Sequence, residues 1–104
     1  MYNVKRYVVW LTDMDHLTID RAFDSSHRLA GASVNYRARI RGEWHVVGRY
    51  DTAHRVPHLH CFWKPGHPIR LFHGLGPGEM VDRAKRDYLR NWAKYRARME
   101  ATLP

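Results

Sequence analysis

Val34-Asn35-Tyr36-Arg37-Ala38-Arg39-Ile40, followed by Arg41-Gly42-Glu43 and Trp44-His45-Val46-Val47-Gly48-Arg49-Tyr50-Asp51, is the stretch on which the fold turns. In its first part Val34, Tyr36, Ala38 and Ile40 alternate with Asn35, Arg37 and Arg39, the period-two pattern of a half-buried strand. Arg41-Gly42-Glu43 is a short turn. In the second part Trp44, Val46, Gly48 and Tyr50 alternate with His45, Val47, Arg49 and Asp51. Pro57 closes a loop over 52–57, because proline cannot donate to a central ladder. Beyond it Leu59, Cys61 and Trp63 alternate with His58, His60 and Phe62. Three strands on short connections pair most simply as an antiparallel meander.

Working outward, residues 2–11 are rich in β-formers and read as a first strand, ended by Thr12-Asp13-Met14-Asp15. Residues 16–32 fit either a second strand or a helical turn, with the balance toward strand. Residues 64–78 hold three prolines and four glycines and are irregular apart from a short edge strand at Ile69-Arg70-Leu71-Phe72. From Pro77-Gly78-Glu79 to about Met99 the apolar residues Val81, Ala84, Tyr88, Trp92, Tyr95 and Met99 recur at helical spacing, with Arg83, Arg86, Asp87, Arg90, Lys94 and Arg98 opposite. The expected architecture is one α+β domain over 1–104. An antiparallel β-meander of four or five strands carries one long C-terminal helix on the face of Val34, Tyr36, Trp44, Val46, Leu59 and Trp63.

That arrangement sends Arg37, Arg39, His45, Arg49, Asp51, His58 and His60 to the other face. Arg49 and Asp51 are two residues apart, as are His58 and His60, so each pair projects from one side of its strand. His54 and Arg55 lie in the connecting loop. The formal charge of +8 is concentrated in residues 25–78, where eight Lys or Arg meet only Glu43 and Asp51. Five of the eight histidines fall in residues 54–73, beside that acid-poor region. A field of this sign attracts phosphate chains or an acidic protein.

Cleavage of an RNA phosphodiester needs a base for the 2′-hydroxyl, an acid for the leaving oxygen and cations for the phosphorane. Imidazoles titrate near neutrality and serve both proton roles, and a guanidinium clamps phosphoryl oxygens. On this reading His58 and His60 are acid and base with His54 in reserve, Arg49 is the clamp and Asp51 the orienting carboxylate. Arg37, Arg39, His45 and Arg55 contact the nucleic acid, and no cofactor is needed. Two alternatives stay open. His54, His58 and His60 supply three imidazoles for zinc with an open fourth position, and the basic surface alone suffices for a binding module without turnover. Cys61 reads as a buried thiol, and Gly74-Leu75-Gly76-Pro77-Gly78 as a plain loop.

The run Arg49-Tyr50-Asp51, two residues, His54, two residues, Pro57-His58-Leu59-His60 resembles small archaeal proteins with the same motif. More loosely, it is similar to the TumE-type toxins of toxin–antitoxin modules. The likeness covers about residues 44–62. It implies a small α+β ribonuclease acting through Arg49, Asp51, His54, His58 and His60, with RNA as substrate and a DNA-binding antitoxin as partner; a homodimer is compatible with it. The lone Cys61 leaves a reducing cytoplasm as the expected location. No secretory signal follows Lys5 and Arg6, and no apolar run is long enough for a membrane helix.

Overall fold

The period-two segments of the sequence become the strands of one antiparallel sheet, in a computed structural model that describes residues 3–52 and 56–104. The strands are β1 (Asn3–Thr12), β2 (Asp15–Phe23), β3 (Leu29–Ile40), β4 (Glu43–Asp51), β5 (His58–Cys61) and β6 (Ile69–Leu71). They lie in sheet order β1-β2-β3-β4-β5-β6, an uninterrupted meander, followed by α1 (Pro77–Thr102). The fold is α+β, as expected, with six strands rather than four or five. The ambiguous stretch 16–32 supplies the difference: it forms most of β2 and the start of β3.

Local chemistry sets the boundaries. Arg41 (φ 54°) and Gly42 (φ 83°) occupy the two central positions of the β3–β4 hairpin, between the paired residues Ile40 and Glu43. Two successive positive φ angles are the mark of a type I′ turn, whose twist matches the flanking strands. Helix α1 opens with Pro77 at its first position, where a missing N–H costs nothing, and the Glu79 carboxylate accepts from Gly76 N at 3.3 Å.

The helix packs across β3 and β4. It buries Met80, Val81, Ala84, Tyr88, Tyr95 and Met99 against Leu17, Ile19, Val34, Tyr36, Ala38, Ile40, Val47, Tyr50 and Leu59. At one end of this interface the Tyr36 hydroxyl donates to the buried Asp15 carboxylate at 2.6 Å, and Arg96 of the helix pairs with the same group at 2.9 Å.

Two expected core residues lie elsewhere. Trp44 and Val46 belong to the face away from the helix, and Trp44 is 43% exposed. The cause is a β-bulge: Tyr36 pairs with Gly48 and Arg37 with Val46, so Val47 is an extra residue. Parity reverses on the N-terminal side of such an insertion. Val47 is therefore the fully buried residue, and Trp44 and Val46 turn outward. The same reversal places His45 opposite Ala38, on the helix side, and not on the polar face expected for it.

Candidate functional site on the uncovered sheet face

The face that α1 leaves open is organised by ladder register into rows running across the strands. One row reads Val8, Thr18, Asn35, Arg49, His60 and Ile69 from β1 to β6. The next reads Arg6, Asp20, Ser33, Asp51, His58 and Leu71. Arg49 is thus directly opposite His60, and Asp51 directly opposite His58. Paired Cα atoms in an antiparallel ladder are about 4.5–5.5 Å apart. Four residues chosen from sequence for one chemistry therefore form a contiguous block.

The side chains are held as follows. Arg49 donates from Nε to Asn35 Oδ1 at 2.6 Å, and Asn35 is itself buried. That bond orients the guanidinium, whose two terminal nitrogens have no hydrogen-bond partner among the described residues. The Thr52 hydroxyl, which accepts from Ala32 N at 3.0 Å, ties down the chain just after Asp51. His58 Nδ1 lies 3.1 Å from the Val56 carbonyl. A carbonyl only accepts, so Nδ1 carries the proton and the lone pair of the neutral ring is on Nε2. His60 stacks on Phe62 with ring centroids 4.1 Å apart, and His67 meets both rings edge-on. His54 and Arg55, expected respectively as a third imidazole and a nucleic-acid contact, lie outside the described residues.

Arg37 and Arg39 stand on this face and are exposed, as expected. Beside them is a feature that sequence reasoning missed. Trp10, His16 and Trp44 form one aromatic group, with His16 4.7 Å from each indole and the indoles 6.1 Å apart. Trp10 is 59% exposed, unusual for so large an apolar side chain. Register joins the group to the polar rows: Trp10 pairs with His16, and His16 with Arg37. Desolvation by its surroundings, reinforced by Arg37, lowers the His16 pKa below the ordinary imidazole value, which favours the neutral ring. At the far end, hydrogen bonding from Arg6 holds the Asp20 carboxyl below the usual carboxylate range.

Among the described residues no group of three or more His, Cys, Asp or Glu is placed to hold a metal ion. The zinc set read from sequence includes His54 and so falls partly outside them. Cys61 is buried, and that burial pushes its thiol pKa up, away from the reactive thiolate. Among the described residues no helix is long and apolar enough to cross a membrane.

The chain matches, over residues 2–103, the family described as Domain of unknown function (DUF7718), and it belongs to that family. No curated protein and no solved structure gave a match.

Proposed function

We propose that the uncovered sheet face binds single-stranded RNA and cleaves it without a metal, as a toxin-like ribonuclease. The observation that carries this reading is the register that sets Asp51 against His58 and Arg49 against His60. His58 and His60 are two residues apart on one strand face, a spacing of about 6.8 Å between Cα atoms at 3.4 Å per residue. An in-line displacement needs its base and its acid on opposite sides of one phosphorus, each a hydrogen bond of about 2.8 Å from its oxygen. Two imidazoles at that spacing suit a phosphate seated between them.

In this scheme His58 Nε2 takes the proton of the 2′-hydroxyl as that oxygen attacks phosphorus. The Asp51 carboxylate, across the ladder, stabilises the imidazolium that results. His60 gives a proton to the departing 5′-oxygen, and the products are a 2′,3′-cyclic phosphate and a free 5′-hydroxyl. The Arg49 guanidinium, fixed by Asn35, meets the charge that builds on the phosphorane oxygens. The exposed indoles of Trp10 and Trp44 offer stacking surfaces to bases flanking the scissile bond, which favours an unpaired strand. In a toxin–antitoxin module an antitoxin would have to cover this face, and the reaction would proceed in the cytoplasm where RNA is found.

The test is incubation of the purified chain with RNA in the presence of a chelator. Cleavage should yield cyclic-phosphate ends. It should be abolished by His58→Ala and by Asp51→Ala, and Arg49→Ala should slow it about 10²–10³-fold, the usual cost of one transition-state donor. Cleavage that survives both His58→Ala and Asp51→Ala rules the mechanism out. Cleavage that requires added zinc transfers the histidines to the metal reading.

A further inference from the structure

On the other side of the sheet, α1 and the strands β5 and β6 enclose a cleft of about 690 Å³. Helix residues Arg83, Arg86, Arg90, Lys94 and Arg98 line one wall. Their spacing of 3, 4, 4 and 4 places all five on one stripe, about 22 Å long at 1.5 Å per residue. Lys64 and Arg70 face them from the opposite wall. Aromatic rings carry several of these cations: Arg83 and Arg70 lie 4.5 and 5.1 Å from the Phe72 centroid, and Lys64 and Arg98 lie 4.9 and 5.2 Å from that of Trp63.

Little in the cleft offsets this charge. Among the described lining residues Asp87 is the single acid. Its oxygens already accept from the Tyr50 hydroxyl at 2.7 Å, the Tyr95 hydroxyl at 2.6 Å and Asn91 Nδ2 at 2.9 Å. The ion pairs among the described residues, Arg6–Asp20 and Arg96–Asp15, lie elsewhere. Seven cations and one internally engaged carboxylate leave a strong positive field in a partly enclosed space, where screening is weaker than on open surface.

We infer that this cleft is a second nucleic-acid site, distinct from the uncovered sheet face, that grips the phosphate backbone of a single strand. A small anion would satisfy one position of the stripe, whereas a linear polyanion satisfies its whole length. Four of the five stripe residues are arginines, whose guanidinium forks pair in bidentate fashion with phosphate oxygens. A guanidinium resting on a ring is also already held, so less freedom is lost when it binds. The inference is independent of RNA cleavage, because backbone binding needs neither a 2′-hydroxyl nor any histidine.

The experiment titrates a short fluorescent oligodeoxythymidine into the chain and follows anisotropy across a range of salt concentrations. DNA lacks the 2′-hydroxyl, so the proposed cleavage cannot interfere. The variant Arg86→Gln/Arg90→Gln/Lys94→Gln changes three exposed residues. It should reduce the slope of log K against log salt by about 2, at about 0.7 per phosphate contact with a single strand. If the triple variant unfolds, Arg90→Gln alone should reduce the slope by about 0.7. An unchanged slope in the cleft variants overturns the proposal. Polyglutamate binding more tightly than the oligonucleotide, charge for charge, overturns it in favour of an acidic protein.

Discussion

Replacing Gly48 by alanine tests the packing that supports the candidate site, because Gly48 lies between the bulge residue Val47 and Arg49. A Cβ built there would sit 2.6 Å from the Tyr88 hydroxyl oxygen, far inside van der Waals contact. That hydroxyl is fully buried and has no hydrogen-bond partner among the described residues. Tyr88 has little room to move, with Tyr36 and Tyr50 packed at centroid distances of 5.6 and 5.5 Å. Overpacking of this kind costs about 1–3 kcal/mol. The strand gains back about 0.5 kcal/mol from losing a flexible glycine. A net loss of about 1–2 kcal/mol should appear in urea unfolding, with Tm lower by about 4–8 °C per kcal/mol. Tyr88→Phe removes the clashing atom, and the next ring atoms lie at 3.5 Å, an ordinary contact. The single Tyr88→Phe change also discards a buried polar group without a partner and should stabilise by about 1 kcal/mol. In the Tyr88→Phe background Gly48→Ala should then cost close to nothing, a coupling of about 1–2 kcal/mol. Strictly additive effects, or a Tyr88→Phe protein less stable than the parent, would refute the reasoning.

Two further measurements probe the titratable groups. Burial first, and hydrogen bonds to Asp15 or Asp87 second, raise the pKa of Tyr36, Tyr50 and Tyr95 above the ordinary phenol value of 10.0, and burial does the same for Tyr88. Above that pH the unfolded chain has released protons that the folded chain keeps, so stability should fall as pH rises. Phenolate absorbance should show at most two of the six tyrosines ionising before the fold is lost; four or more titrating in the folded protein would contradict this burial. By NMR His16 should titrate below the ordinary value of 6.5, and Arg37→Gln should move it upward. Its lowered value means that the unfolded chain takes up the proton first, so His16 subtracts from stability as pH falls below 6.5. A His16 midpoint at or above 6.5 would show that the indoles do not desolvate it.

Three-strand alternation was readable because it is unbroken where it matters most. Val34, Tyr36, Ala38 and Ile40 form the centre of the sheet beneath the helix and all are buried. From Arg49 onward the parity reading also holds, which is why Arg49, Asp51, His58 and His60 meet as expected. Residues 16–32 were opaque for a physical reason. Leu17, Thr18 and Ile19 are consecutive and all buried, so β2 lacks the alternation of a half-exposed strand. Asn35 illustrates another limit. In sequence it is one polar residue on a strand, and only register shows that it holds Arg49.

The bulge at Val47 is where sequence reading failed, and it also gives the uncovered face its composition. Trp44, Val46, Gly48 and Tyr50 share one parity, and adjacent Val46 and Val47 are equally apolar, so nothing in the residue types marks the extra position. A regular β4 would have kept Trp44 on the same side as Tyr50, beneath the helix. Its large ring would then have had to fit near Ala38 and Ile40, which are already fully buried. With the insertion, Val47 takes the buried position and Trp44 turns out to join Trp10 and His16. Arg49 and Asp51, beyond the bulge, keep their side. One inserted residue therefore puts an aromatic platform and an Arg-Asp pair from the same strand on the same open face. Uninterrupted alternation over residues 44–51 cannot produce that combination.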